Sequence, residues 1–146
     1  VQTCALPISE VPMHTAVMRA RKDVKATVHT HGMFATIAAM YGELLPTTPP
    51  QAEFVPVGIV PFTMPGSDEV ADRVVEALGE TGRAVLIKNH GLFCCGKDMK
   101  AAMSATVYTE EMAQTSYYAK AAGVFQPMPE EAVRKMKELI AADQAV

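Results

Sequence analysis

Alternating side chains identify the most informative strand of the chain. Residues 25–31 read KATVHTH, so Ala26, Val28 and Thr30 project to one side. The other side carries Thr27, His29 and His31. A two-residue period of this kind predicts a β-strand. Two short apolar runs, Ala84–Lys88 and Leu92–Cys95, predict two further buried strand segments, which are separated by the triplet Asn89-His90-Gly91.

Helical spacing of apolar residues predicts most of the remaining chain. A helix capped by Ser9 ends near Arg21–Asp23, and a helix capped by Ser67 ends at Gly79. Three more predicted helices cover residues 34–41, 99–122 and 130–142. The run Leu45–Pro50 is too rich in proline for regular structure, and residues 54–62 predict an interrupted edge strand. The elements do not alternate strictly as βαβ, which favours one sheet covered by helices.

Composition narrows the class of protein. With 146 residues, 49% of them hydrophobic and 20% charged, the chain is suited to a single domain with a buried core. The net charge is −3 and no run of Lys or Arg occurs, so we do not expect a nucleic-acid partner. The sequence contains neither an apolar stretch of about 20 residues nor a signal peptide, so we expect a cytoplasmic protein with no membrane partner. The adjacent Cys94 and Cys95 are predicted to be small buried hydrophobic side chains.

Three of the four histidines form a candidate metal site. On a strand, His29 and His31 project from the same face with Cα atoms about 6.6 Å apart, close enough to share an ion. The pair alone is more often solvated or hydrogen-bonded than a ligand pair. His90 adds a third imidazole in a glycine-containing break between two strands. Three imidazoles leave one coordination position of zinc open, which is typical of a catalytic site and not of a structural one.

Several motifs in a fixed order carry a resemblance to a known family. Glu10 and His14 lie four residues apart on one helical face, which by itself indicates a surface pair. Together with the other motifs, however, they resemble the class II aldolase/adducin family from about residue 9 to about residue 123. The motifs are Ser9-Glu10…His14, Arg21-Lys22-Asp23-Val24, Val28-His29-Thr30-His31, Lys88-Asn89-His90-Gly91-Leu92, Gly96-Lys97-Asp98 and Glu110-Glu111.

The resemblance implies a fold, an assembly and a set of site residues. It implies an α/β fold, a three-layer αβα domain with a mainly antiparallel central sheet, assembled as a homotetramer. It also implies that His29, His31 and His90 bind Zn²⁺, or another divalent ion such as Mn²⁺. Glu10 is the implied catalytic acid and base, able to contact the metal as well, and Ser9 is the implied substrate-binding residue. Cleaving a carbon–carbon bond beside a carbonyl leaves an enediolate, which a Lewis acid stabilises.

The leading hypothesis is a zinc-dependent aldehyde-lyase that cleaves a phosphorylated ketose, of the L-fuculose phosphate type, by retro-aldol chemistry. A 4-epimerase, a dehydratase or a decarboxylase of the same family exploits the same enediolate and stays open. A non-catalytic adducin-like interaction domain is also open, although it has no use for a complete set of three histidines and Glu10. Residues 50–54 read PQAEF where fuculose-phosphate aldolases place a tyrosine, which weakens that substrate assignment.

The start of the chain departs from the family. The family's phosphate-binding loops lie N-terminal to the glutamate, and this chain starts at Val1, nine residues before Glu10. We therefore expect a truncated protein in which residues 9–146 form the domain. Residues 1–8 are expected to be a non-native or disordered junction. Without the phosphate loops, we expect weak or no turnover even if metal binds.

Overall fold

A four-stranded, mostly antiparallel sheet forms the centre of the domain. The structure is a computed structural model that describes residues 10–42, 44, 46–53 and 58–143, so the predictions for residues 1–8 and for Ser9 lie outside it. The strands are β1 (Ala26–Thr30), β2 (Ile59–Val60), β3 (Ala84–Ile87) and β4 (Gly91–Gly96). Their order is β1-β4-β3-β2, in which β4 is antiparallel to both of its neighbours and β2 is parallel to β3.

Helices cover both faces of the sheet. They are α1 (Val11–Ala20), α2 (Met33–Tyr41), α3 (Pro49–Glu53), α4 (Asp68–Leu78), α5 (Met99–Ala121) and α6 (Glu130–Asp143). The buried side chains of α1 and α4 form one apolar cluster with the sheet, and those of α2 and α5 form another on the opposite face. The α/β class with three αβα layers and a mainly antiparallel sheet is therefore confirmed.

Strand β4 lies in the interior and supplies both clusters. Phe93 and Cys95 point toward α1 and α4, whereas Leu92 and Cys94 point toward α2 and α5, as the two-residue period of a strand requires. All four side chains are fully buried. The prediction that Cys94 and Cys95 are small buried hydrophobic residues is confirmed, and burial raises the pKa of the Cys94 thiol to about 12.

Side-chain caps begin α4 and α5. The Oγ of Ser67 accepts a hydrogen bond from the backbone N–H of Val70 at 3.2 Å, and α4 ends before Gly79, as predicted. Asp98 caps α5 in the same way, since its Oδ1 accepts the N–H of Ala101 at 2.7 Å. Caps of this type typically stabilise a helix by about 1 kcal/mol.

The proline-rich segment differs from the prediction. A five-residue helix, α3, starts at Pro49, inside the run for which no regular structure was expected. Proline fits the first turn of a helix because the N–H groups there have no intrahelical partner. The side chain of Gln51 organises the turn before it by accepting hydrogen bonds from the backbone and hydroxyl of Thr47, both at 2.9 Å.

No helix among the described residues combines the length and the apolar character needed to cross a membrane.

Candidate metal centre

Three neighbouring elements bring the three histidines together. His29 belongs to β1, His31 follows the last residue of β1, and His90 lies in the tight turn between β3 and β4. The turn closes with a hydrogen bond from the N–H of His90 to the carbonyl of Ile87 at 3.0 Å. Since β4 pairs with β1, this turn lies beside the end of β1 that carries His29 and His31.

The imidazole nitrogens are close enough to share one ion. One ring nitrogen from each of His29, His31 and His90 lies within 4.8 Å of the others, and the Nε2 atoms of His29 and His31 are 3.0 Å apart. Zinc–nitrogen bonds of about 2.0–2.1 Å in a tetrahedral site place two nitrogens roughly 3.3 Å apart. The separation of 3.0 Å between His29 and His31 is near this value, and none of the three exceeds 4.8 Å, so the donor set fits a divalent ion after small adjustments of the rings.

His29 is oriented by the backbone of the neighbouring strand. Its Nδ1 lies 3.0 Å from the carbonyl oxygen of Leu92, which only accepts hydrogen bonds, so Nδ1 carries the proton and Nε2 presents its lone pair toward His31. Burial lowers the pKa of His29 to about 4, and the ring is neutral at pH 7. A neutral imidazole is the form that binds a metal.

Glu10 places a carboxylate beside this cluster. It directly precedes α1, the helix that packs on the sheet through Met13 and Val17, and it is 9% exposed. Its Oε1 lies 3.5 Å from Nε2 of His90. Burial lowers the pKa of His90, an effect that the negative charge of Glu10 opposes. Among the described residues, Nδ1 of His90 is buried without a hydrogen-bond partner, as is common where a polar ligand or an ion is to be bound.

The fourth histidine lies near this cluster but outside it. Nδ1 of His14 is 2.7 Å from the hydroxyl oxygen of Thr27, and the ring packs against Phe93 with centroids 5.2 Å apart. Taken alone, the spacing of Glu10 and His14 indicated a surface pair, which is wrong, because the first is buried and the second half-buried. The four-residue period placed both on one helical face, but that face packs on the sheet.

A glycine that the sequence motif contains has a steric role at the site. Gly91 follows His90, and a Cβ atom built on it would overlap the carbonyl oxygen of Thr30 and lie 3.1 Å from Cδ2 of His31. Only glycine therefore lets β4 approach the end of β1 this closely. The sequence marked this residue as part of the break around His90, but its contact with His31 depends on the pairing of two strands far apart in the chain.

Of the five site residues predicted from the sequence, four lie together here: Glu10, His29, His31 and His90. Ser9 lies outside the described residues. The carbonyl of Leu92, which orients His29, was not predicted. No sequence signal identifies a backbone carbonyl as a partner, since any residue type supplies one.

Comparisons with known proteins give a consistent result. Residues 2–117 match the family described as "Class II Aldolase and Adducin N-terminal domain". The chain is 34% identical over 113 residues to an L-fuculose phosphate aldolase of Methanococcus maripaludis, covering 76% of this chain and 61% of that one. It is 32% identical over 132 residues to a 5-deoxy-D-ribulose 1-phosphate aldolase of Bacillus thuringiensis serovar kurstaki, covering 89% and 62%.

A solved structure extends the likeness to three dimensions. An L-fuculose 1-phosphate aldolase superposes with a TM-score of 0.84 at 29% identity, covering 97% of this chain and 67% of that one. The chain spans about three fifths of the length of the two curated relatives, with 61% and 62% of their residues matched.

Proposed function

This chain belongs to the class II aldolase and adducin N-terminal domain family, and on that basis we propose that it is a metal-dependent aldolase. The reaction is the retro-aldol cleavage of a carbon–carbon bond in a phosphorylated ketose. The observation that carries the proposal is the convergence of three imidazoles, from His29, His31 and His90, on one point beside the carboxylate of Glu10.

The three histidines are the proposed ligands of Zn²⁺ or another divalent ion such as Mn²⁺. Their nitrogens lie within 4.8 Å of one another, and the lowered pKa values of His29 and His90 keep both rings neutral at pH 7. A divalent ion held here supplies Lewis-acid stabilisation of the negative charge that develops beside the substrate carbonyl as the bond breaks. The hydrogen bond from His29 to Leu92 keeps the Nε2 lone pair directed toward His31, where it would serve as a ligand.

Glu10 is the proposed acid and base. Retro-aldol cleavage needs a group that accepts a hydroxyl proton and a group that delivers a proton to the carbon left behind. Oε1 of Glu10 lies 3.5 Å from His90, so a substrate bound at the three histidines lies within reach of this oxygen. Positioned proton transfer of this kind typically contributes about 10²–10⁴-fold to the rate. The same carboxylate is also a proposed metal contact in the absence of substrate.

The proposed substrate class is a ketose 1-phosphate. The two relatives are named for L-fuculose phosphate and 5-deoxy-D-ribulose 1-phosphate, which are both phosphorylated ketoses and differ in the sugar. Ser9, which precedes Glu10, is proposed to contact the substrate, on the family resemblance of the Ser9-Glu10 motif.

Elemental analysis of the purified chain tests the metal site. We expect about one divalent ion per chain in the wild type, and loss of that ion in His29→Ala and in His90→Ala. His14→Ala is the matched control, because this imidazole is hydrogen-bonded to Thr27 and is not among the three converging rings. A wild-type chain that binds no ion after dialysis against zinc would overturn the proposed site.

Turnover tests the role of Glu10. Cleavage of a panel of ketose 1-phosphates is followed by coupling the released dihydroxyacetone phosphate to NADH oxidation. Where the wild-type chain cleaves one of these substrates, Glu10→Gln is expected to retain its metal and to lose about 10²–10⁴-fold in kcat. Full activity of Glu10→Gln would refute the role of this carboxylate. A chain that binds no metal would favour the non-catalytic adducin-like interaction domain instead.

We also propose that the chain assembles as a homotetramer. Three apolar side chains spaced four residues apart, Met99, Met103 and Val107, are exposed on α5 by 57%, 43% and 55%. An apolar stripe on one helical face is typical of an interface between subunits. Light scattering after size-exclusion chromatography tests this directly, and a monomer at micromolar concentration would contradict it.

A further inference from the structure

The middle of α5 reaches across to the start of α2 through a single carboxylate. Oε1 of Glu110 accepts the backbone N–H of Phe34, and Oε2 accepts the N–H of Ala35, both at 2.8 Å. These N–H groups belong to the first turn of α2, where no intrahelical acceptor exists. The residue before that helix, Gly32, has no side chain with which to cap it. Glu110 therefore replaces a local cap with one from a helix about 75 residues away in sequence.

The capped turn is joined directly to His31. β1 ends at Thr30, and Gly32 precedes α2, so His31 is the one residue between the strand and the helix cap. The strand pairing ends at Thr30, opposite Leu92, so His31 lies beyond the last paired residue of β1. It is also the most exposed of the three converging histidines. Its backbone is thus held by β1 on one side and by the start of α2 on the other.

Gly32 shows that the contact with Glu110 is tight. A Cβ atom on Gly32 would lie 2.5 Å from Oε2 of Glu110 and 2.9 Å from its Cδ. The backbone angles of Gly32, φ −53° and ψ 137°, are accessible to any residue, so the conformation does not require glycine. The requirement comes from the carboxylate, which occupies the space of a side chain at this position.

We propose that Glu110 is a positioning residue for the metal site, which orients His31 by fixing the first turn of α2. The inference rests on the proposed function, since it concerns one of the proposed metal ligands. Two charge-assisted hydrogen bonds and the favourable interaction of a carboxylate with a helix N-terminus make this attachment strong. Residues that orient a ligand without contacting the metal typically change metal affinity 10–100-fold when they are replaced.

Titration with Co²⁺, followed by its visible absorption, tests the role of Glu110. We expect Glu110→Ala to weaken Co²⁺ binding about 10–100-fold and to alter the absorption band, because His31 no longer holds its position. Glu110→Gln retains one acceptor oxygen, so its Co²⁺ affinity is expected to lie between those of the wild type and Glu110→Ala. Glu111→Gln is the matched control, since it removes the same charge from the adjacent, exposed position and should leave the affinity unchanged within twofold.

Gly32→Ala provides an independent variant. Its methyl group displaces the carboxylate, so the single variant is expected to weaken Co²⁺ binding as Glu110→Ala does. Adding Gly32→Ala to Glu110→Ala is expected to cause little further loss, because the displaced group is already absent. Urea unfolding of each metal-free variant establishes that the titrations are made on folded protein. If Glu110→Ala does not fold, Glu110→Gln takes its place in the titration.

The outcomes separate this inference from the proposed function. Wild-type affinity and absorption in Glu110→Gln, Glu110→Ala and Gly32→Ala would overturn the role of Glu110 alone. A wild-type chain that binds no Co²⁺ would overturn the proposed metal site and this inference with it. Weakened binding in the Glu110 variants, with Glu111→Gln unaffected, would support the inference.

Discussion

Replacing Gly91 by alanine tests how the sheet holds the candidate site. The added Cβ overlaps the carbonyl oxygen of Thr30, which belongs to the backbone and cannot rotate away as a side chain can. To reach an ordinary contact distance, β4 and the end of β1 must separate by roughly 1 Å. His31 follows Thr30 directly and moves with it, and its ring lies 3.1 Å from the same added atom.

These contacts set the expected loss of stability and of metal affinity in Gly91→Ala. Introducing a methyl group into a packed position without room typically costs about 1–3 kcal/mol, and each neighbouring sheet hydrogen bond that lengthens costs about 0.5–1.5 kcal/mol. We therefore expect Gly91→Ala to lower the free energy of unfolding of the metal-free chain by about 1–3 kcal/mol. Metal–ligand distances tolerate deviations of only about 0.2 Å. A displacement of His31 by roughly 1 Å is therefore expected to weaken metal binding by at least about tenfold.

Urea unfolding and Co²⁺ titration measure the two effects separately. Gly58→Ala is the control, because no atom of the described residues, chain neighbours apart, lies within 4 Å of a Cβ built on Gly58, and its φ is not positive. This control is expected to change stability by less than about 0.5 kcal/mol. Wild-type stability together with wild-type metal affinity in Gly91→Ala would refute the argument that glycine is required for the approach of β4 to His31.

Two further predictions concern buried and charged groups away from the site. Burial raises the pKa values of the Cys94 and Cys95 thiols, so both should react with a disulfide reagent only after unfolding. The labelling is measured in a Cys4→Ser variant, and rapid labelling of its native state would contradict the prediction. The hydrogen bonds from Arg21 hold the pKa of Asp23 below its usual value of about 3.9, so their stabilisation is present above that pH and is lost as the pH falls through the folded pKa. The difference in unfolding free energy between wild type and Asp23→Asn should therefore shrink on acidification below pH 4, and a constant difference would disprove the linkage.

Local patterns in the sequence predicted the elements that carry the site. The two-residue period of residues 25–31 predicted that His29 and His31 share one face of a strand. In the structure β1 ends at Thr30 and His31 follows it directly, with its Nε2 atom 3.0 Å from that of His29. Ser67 and Gly79 predicted the ends of α4 because capping depends on residues within one turn. Signals of this kind reach only a few residues, so they are readable without knowledge of the tertiary fold.

Long-range contacts could not be predicted in the same way. The approach of His90 to His29 depends on the order of the strands, in which β4 lies between β1 and β3. The sequence suggested the set of three histidines through their residue type and through family resemblance. It did not suggest that Glu110 caps α2, because that contact joins positions about 75 residues apart and leaves no local pattern.

The two glycines that flank the histidines explain why the most exposed of them can keep a defined position. Gly91 lets the backbone of β4 lie against Thr30, and Gly32 leaves room for the carboxylate of Glu110 at the start of α2. His31 lies between these two contacts and has little burial of its own to hold it. Its position is therefore determined through the backbone on both sides, and the proposed metal site depends on the packing of the sheet against α5 as much as on the identity of the three histidines.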